Sequence, residues 1–475
     1  MKQYATKGII LSVLLALGVS GMAQEKPASR ESLFGDDLPP AKPKAVSPEK
    51  PRNTDDPARP ALPLTQAFPE PEKPRETDGK LRGSLQLELA RTVADPDHWS
   101  KMRLRADLGS SGRFANGVKW KLGARLDYDA AYDRNFYPNA VQQDQRHEAT
   151  LRENYLDINA DNWDFRLGRQ HVVWGEMVGL FFADVVSARD LREFILPDFE
   201  SLRIPQWAAR AEYFGNDMHA ELLWIPVASY DRIGKAGAEF YPYQPIPAGA
   251  TAIYRSQKQP GRSLDTMNYG VRLSALRSGW DVSGFLYSSM NISPTFYRQT
   301  INPMTFVFTP RHDRIHQLGG TLSKDFGSVV LKTEAVYSQG RRFTVLRADP
   351  DGVVRQNTLD WAAGLDFTLA TDTRFNVQLF QRVFFDHDRD IVPDKRENGF
   401  SLYLSSKFGN NWEAQALLIS SLNRSDWMFR PKLSWNFERN WRLLLGADIF
   451  HGPTLGLFGQ YDNKDRVYSE IRYSF

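Results

Sequence analysis

The stretch VKWKLGARLDYD, Val118 to Asp129, alternates along its whole length. Val118, Trp120, Leu122, Ala124, Leu126 and Tyr128 fall on one face; Lys119, Lys121, Gly123, Arg125, Asp127 and Asp129 fall on the other. Successive side chains of an extended chain point to opposite sides, so this period of two gives one apolar and one polar face. A half-buried soluble strand does the same, but soluble strands usually run ~5–6 residues. This one is long enough to cross a bilayer, which takes ~9–11 residues.

The pattern recurs on both sides of that stretch. Upstream, LRGSLQLEL sets Leu81, Leu85, Leu87 and Leu89 against Arg82, Ser84, Gln86 and Glu88, and KMRLRADL sets Met102, Leu104, Ala106 and Leu108 against Arg103, Arg105 and Asp107. Downstream, Leu359, Trp361, Ala363, Leu365 and Phe367 alternate with Asp360, Gly364 and Asp366. Trp435 and Phe437 alternate with Lys432, Ser434 and Asn436. The last eight residues, YSEIRYSF, put Tyr468, Glu470, Arg472 and Ser474 opposite Ser469, Ile471, Tyr473 and Phe475.

The connections alternate too. Tight ones fall at Ala160–Asn162, Gly215–Asp217, Arg277–Gly279, Asp325–Gly327, Thr371–Asp372, Gly409–Asn411 and Glu438–Asn440, with a slightly longer one at Ser110–Gly117. Long polar loops lie between them, near 134–146, 175–203, 227–264, 293–311, 343–356, 386–396 and 451–465. Short turns at one end and long loops at the other are the plan of a bacterial outer-membrane barrel. Trp163, Trp280, Trp412 and Trp441 each follow a tight turn, where an interfacial girdle places aromatics. The expected fold is all-β: a transmembrane antiparallel barrel of about 18 strands, with 16 as the alternative. Such a barrel encloses an aqueous lumen. An even count leaves both termini in the periplasm.

Composition agrees. Sixty basic residues balance 57 acidic ones, which gives no nucleic-acid signature. There is no Cys, and so no disulfide, thiol catalysis or lipoprotein anchor. Residues 1–23 read as a cleaved signal peptide: Lys2 and Lys7, the apolar run Gly8–Val19, then Gly21-Met22-Ala23. Residues 24–78 hold 12 Pro and read as a disordered periplasmic linker. Residues 79–475 are the barrel. Inside the linker, SLFGDD offers Leu33, Phe34, Asp36 and Asp37 as a docking motif for a periplasmic partner. The expected location is the outer membrane of a Gram-negative bacterium, as a monomer in outer-membrane lipid.

Polar inward faces supply the pore-lining candidates: Arg82, Arg103, Arg105, Lys119, Lys121, Arg125, Asp127, Arg272, Asp360 and Lys432. They imply a hydrated lumen with cross-strand pairs, or a basic ladder that guides an anionic solute. No cofactor, metal site or catalytic residue is expected. His312 and His316 would stand roughly 13 Å apart on a strand, too far for one ion. Asp386-His387-Asp388 reads as a polar rim rather than a water-activating pair. A barrel hydrolase is therefore the weakest reading.

The segment Arg169–Trp207 is unusual, because a long surface loop should be polar and this one is rich in Leu, Phe, Val and Ile. ADVVSARDLREFI has helical spacing, with Val185, Leu191 and Ile195 near one side. Such a loop must bury its apolar face, against the rim or as a constriction inside the barrel.

Its motifs carry a resemblance. GRQHVVWGE followed by DVVSARDLREFILPDFESLRIPQW resembles the R-Q-x-x-x-W-G and D-V-x-x-x-D-x-R-E signature of a proteobacterial outer-membrane barrel family of unknown function. SLFGDD is similar to mature N-termini of that family. The resemblance singles out Arg169, Gln170, Trp174, Gly175, Asp184, Asp190, Arg192, Glu193 and Arg203 as positions to watch, and with Val185 these are the candidates for the constriction that the apolar loop itself suggests. It implies an outer-membrane channel, often encoded beside an RND-type exporter and a periplasmic carrier, and so a solute or lipid-like cargo. A general diffusion porin without a dedicated partner is the alternative. Barrels of this kind resemble one another in ending on a strand with a terminal aromatic that the barrel assembly machinery reads, a part taken here by Phe475 with Tyr473.

Overall fold

The computed structural model describes residues 79–475 except 176, 178–181 and 371, so the expected signal peptide, linker and Leu33–Asp37 motif lie outside the described residues. Alternation produces strands wherever it was clearest. The first are β1 (Arg82–Thr92), β2 (Trp99–Arg113), β3 (Lys119–Asp129), β4 (His147–Leu151), β5 (Asn154–Ala160) and β6 (Trp163–Gln170). Then come β7 (Gln206–Phe214), β8 (Met218–Val227), β9 (Asn268–Arg277), β10 (Trp280–Met290), β11 (Arg314–Asp325), β12 (Val329–Thr344) and β13 (Val353–Ala370). The last are β14 (Thr373–Phe384), β15 (Arg396–Phe408), β16 (Trp412–Ser421), β17 (Trp427–Glu438), β18 (Trp441–His451) and β19 (Arg466–Ser474).

All neighbours pair antiparallel, and β1 closes on β19 from Ser84 opposite Ser474 to Thr92 opposite Arg466. Closure leaves the sheet without outer edges. The sheet has 19 segments, but β4 and β5 share one partner. β4 pairs with Ala124–Tyr128 of β3, and β5 with Lys119–Lys121. They are one wall strand broken at Arg152 and Glu153, so 19 segments make 18 strand positions.

The outward face is apolar. Leu87, Leu104, Leu126, Leu167, Leu222, Leu286, Leu318, Leu379 and Leu445 are 41–56% exposed around the whole circumference. In water so continuous a belt would aggregate; in a bilayer it is the lipid-facing band. At the tight-turn end an aromatic row runs along it. Trp412 stacks on Trp435 at 5.1 Å, and Trp441 lies 4.8 Å from Tyr473, which lies 6.2 Å from Phe475.

At the other end the long loops fold over the barrel. Thr251–Tyr254 pairs in parallel with Thr305–Arg311, which pairs antiparallel with Thr295–Asn302. Beside this small sheet Tyr132, Tyr137, Tyr241, Phe296, Phe306 and Phe308 pack into a buried cluster.

The wall is uneven. β6 and β7 have 8 and 9 residues, whereas β12 and β13 have 16 and 18. The low side is where the chain leaves the wall after Gln170 and returns at Gln206, which face each other in register. The described residues between them turn into the barrel.

Candidate functional site

Among its described residues the inner segment contains only short pieces of regular structure. Ala188–Arg189 pairs with Arg203–Ile204, Leu191–Glu193 forms one 3-10 turn, and Phe199–Leu202 one helical turn. The helix expected over Ala183–Ile195 does not form. Val185 and Val186 are buried in an apolar cluster with Trp174, Ala208, Leu223, Ile225, Phe285, Tyr287 and Val336. That burial, with the two-residue ladder, holds the chain extended where helical spacing suggested a turn. β-Branched neighbours favour the same outcome.

The segment is rooted at two carboxylates of the wall. Glu334 of β12 accepts the Met177 N–H at 2.8 Å and the Ala183 N–H at 3.0 Å. Glu221 of β8 accepts the Trp174 indole N–H at 3.1 Å. The path is tight: a Cβ on Gly175 would lie 2.8 Å from the Asp184 nitrogen, and one on Gly270 of β9 would lie 2.6 Å from the Trp174 ring. Internal bonds fix its shape. Ser187 donates to the Val172 carbonyl at 3.0 Å, Gln206 to the Val186 carbonyl at 3.0 Å, and Arg203 pairs with Asp184 at 2.9 Å.

From that root the chain crosses to the opposite wall. Arg189 pairs with Asp231 at 3.2 Å and Arg192 with Glu148 of β4 at 2.7 Å. Glu193 meets Arg103 of β2 at 2.7 Å, Arg466 of β19 at 3.5 Å, and Lys101. Arg430 of β17 donates to the Ile195 and Leu196 carbonyls, and Lys432 pairs with Asp198 at 2.8 Å. Phe194 and Leu196 pack among Phe240, Phe450, Phe458 and Tyr461. The segment thus touches β2, β4, β8, β12, β17 and β19. It spans the lumen rather than resting on the rim.

The residues expected in the constriction are placed as follows. Trp174, Gly175, Asp184, Val185, Asp190, Arg192, Glu193 and Arg203 lie on this inner path, and Gln170 is the last wall residue before it, its side-chain amide donating to the Ala208 carbonyl at 3.0 Å. Arg169 does not: it shares the β6 face of exposed Leu167 and points away from the lumen, because the strand still alternates there.

The pore-lining candidates divide. Arg103 and Lys432 grip the inner segment. Arg105 pairs with Asp127 at 2.7 Å, Arg125 with Asp107 at 2.6 Å, and both guanidinium groups reach Ser201 at 3.5 Å. Lys121 pairs with Glu153, and Asp360 with Arg341 at 3.1 Å and with Arg382. Arg82 and Lys119 are exposed at the tight-turn end, and Arg272 is half-buried on β9. Sequence reading overlooked Lys101, Glu148, Glu221, Glu334, Arg430 and Arg466. Their only signal is an inward position on an alternating strand, which dozens of residues share. Among the described residues no group of three or more His, Asp or Glu is placed to hold a metal ion.

The chain belongs to DUF1302, a family of proteins of unknown function, whose sequence model spans residues 99–475. No curated protein matches it in sequence. Among solved structures it is similar to OccAB4 of Acinetobacter baumannii, at 10% identity over 84% of this chain and 99% of that one, with a TM-score of 0.47. It is also similar to OmpF of Salmonella typhi in complex with daunomycin, at 8% identity over 83% and 97%, with a TM-score of 0.43. A loop-deletion mutant of the outer-membrane protein OmpT of Vibrio cholerae matches at 9% identity over 83% and 98%, with a TM-score of 0.40. The fold assignment rests on this chain's own closed ladder and outward apolar belt.

Proposed function

We propose that this protein is an outer-membrane channel closed at rest by its own segment between Gln170 and Gln206, and that it passes a solute or lipid-like compound when the segment moves. One observation carries the reading. The segment is bound to strands on opposite sides of the lumen, at Glu334 and at Lys101, Arg103 and Lys432. A permanent brace has no need of so many charged contacts. An apolar plug would pack more stably than one that desolvates ion pairs, and ion pairs can be exchanged for others. A periplasmic carrier or RND-type transporter acting on this barrel belongs to the same proposal.

Planar-bilayer recording tests it. Wild-type barrel should be silent or open only briefly, and deletion of Val185–Ile195 should give a steady conductance. A steady ohmic current from wild type would favour the general diffusion porin. Equal currents from both proteins would remove the segment from gating. Silence of wild type relieved by a co-reconstituted periplasmic protein would identify the partner.

A further inference from the structure

The wall facing the tip of the inner segment carries more positive charge than it can neutralise. Lys101 and Arg103 of β2, Arg430 and Lys432 of β17, and Arg466 of β19 converge there around a cavity of about 60 Å³. Arg105, which also lines it, is matched by Asp127 at 2.7 Å. The wall's own carboxylates at the cavity are Glu88, Asp448 and Glu470. Glu88 bonds Lys101 at 2.8 Å and also meets Arg103, while Asp448 bonds Arg430 and Arg466, each at 2.7 Å. Five cations against three carboxylates leave a charge of +2. The segment brings two carboxylates, Glu193 and Asp198, and the balance becomes zero.

Guanidinium forks are built to hold planar carboxylate or phosphate oxygens. Here a carboxylate of the same chain supplies them: Glu193 offers one oxygen to Arg103 and the other to Lys101 and Arg466. Two backbone carbonyls complete the acceptor set on Arg430. The far end is the weaker one. The Asp198 side chain is 66% exposed, and exposed pairs are readily replaced by water or another ion.

We propose that this patch is an anion-binding site within the lumen, filled at rest by Glu193 and Asp198 standing in for a ligand that carries phosphate or paired carboxylate groups. Such a ligand competes with the segment for the same five cations, so binding and displacement of the tip are one event. The inference rests on the channel reading for its consequence, but the site itself is defined without it.

The test is isothermal titration of inorganic pyrophosphate into the full-length barrel in neutral detergent. Removing the internal competitor in Glu193→Gln/Asp198→Asn should tighten binding about tenfold, within the roughly 5- to 150-fold range of such couplings. Asp198→Asn alone, which alters only an exposed group, should tighten it less. Lys432→Gln should weaken it. Equal affinity of wild type and both carboxylate variants, or no loss in Lys432→Gln, would overturn the proposal. A second titration with lysophosphatidic acid separates the sources. Preference for pyrophosphate assigns the site to a free phosphorylated solute, preference for the lipid assigns it to a head group, and binding of neither overturns it. If the affinity ranking holds while no variant conducts, the channel reading fails and the site stands. If conductance appears without the ranking, the site fails alone.

Discussion

β12 and the inner segment are in contact through Glu334, yet they are held in place by different forces. β12 is paired along both edges, with ten residues in register with β11 and fourteen with β13. Those bonds are between backbone groups, do not depend on which side chain sits above them, and do not titrate. The inner segment has one ladder of two residue pairs. A bridge at Asp190 adds two backbone bonds to Arg232, one from the Leu191 N–H and one to the Arg189 carbonyl, each 2.9 Å. Most of the other anchors involve side chains: carboxylates on amide N–H groups, guanidinium groups on carboxylates, and an apolar cluster around Trp174. A wall made by backbone pairing opens all at once or not at all. A segment made fast by side chains can be released by one substitution, one competing ion or one change of charge. The two regions should therefore respond very differently to the same perturbation.

The largest effect should come from the barrel seam. Phe475 donates its N–H to the Gly83 carbonyl at 2.9 Å and accepts the Gly83 N–H at 3.0 Å, closing the ring of strands at the tight-turn end. Its ring also joins the aromatic row through Tyr473. Deleting Phe475 removes two backbone bonds at the one place where the first and last strands must find each other. Most of the protein should then fail to reach the outer membrane folded, as read by heat-modifiable mobility in membrane fractions. Normal levels of folded barrel would mean that the seam is set by the nine β1–β19 pairs alone.

A smaller and more local effect is expected at Glu334. Glu334→Gln keeps the shape but leaves one oxygen to serve two N–H groups, those of Met177 and Ala183. A buried donor left without an acceptor costs about 1–3 kcal/mol. Amide exchange at Met177 and Ala183 should speed up about tenfold, which corresponds to about 1.4 kcal/mol. Exchange along β11–β13 should stay unchanged. If protection fell equally across β12, wall and segment would be one cooperative unit and the contrast drawn above would collapse.

That contrast also explains what could be read from the sequence. A wall residue is told by its surroundings to be apolar or polar in strict turn, so alternation, turns and the count of 18 were legible, as was the unusual apolar content of Arg169–Trp207. The break in β4–β5 left a trace: outward Leu151 and Leu156 are five apart, an odd spacing that a continuous strand does not allow. The inner segment misled because Val185, Leu191 and Ile195 suit a helix by spacing, while its conformation is decided by wall residues remote in sequence. Glu334 lies 157 positions from Met177 and 151 from Ala183, and nothing local to the strand around it predicts what it will hold.

The smallest effect tests whether side-chain clamps elsewhere also titrate while the wall does not. Above the barrel His98, between β1 and β2, bonds Glu239 at 2.7 Å and stacks on Phe136 at 3.8 Å. Glu239 also meets Lys464 at 3.0 Å and accepts the Tyr137 hydroxyl at 2.8 Å. Burial pulls the His98 pKa down, but the bonds to Glu239 and to the Pro96 carbonyl outweigh it, and the net direction is up. Burial pushes the Glu239 carboxyl up, but the His98 bond and the Lys464 charge hold it at about 2. A raised histidine stabilises the fold fully below its unfolded value of about 6.5, and that contribution is lost as pH rises through the folded value. The Glu239 contribution is lost only as pH falls toward about 2, well outside that window. The cap should therefore loosen from near neutrality into mild alkali, with a few-fold faster protease nicking in residues 228–267. His98→Gln should nick at the faster rate at every pH, because Lys464 and Tyr137 remain on Glu239 but the titrating partner is gone. Nicking that varies with pH in His98→Gln as it does in wild type would place the switch elsewhere. Loss of barrel mobility over the same range would show that the wall depends on the cap, against the separation of backbone and side-chain forces that the two regions display.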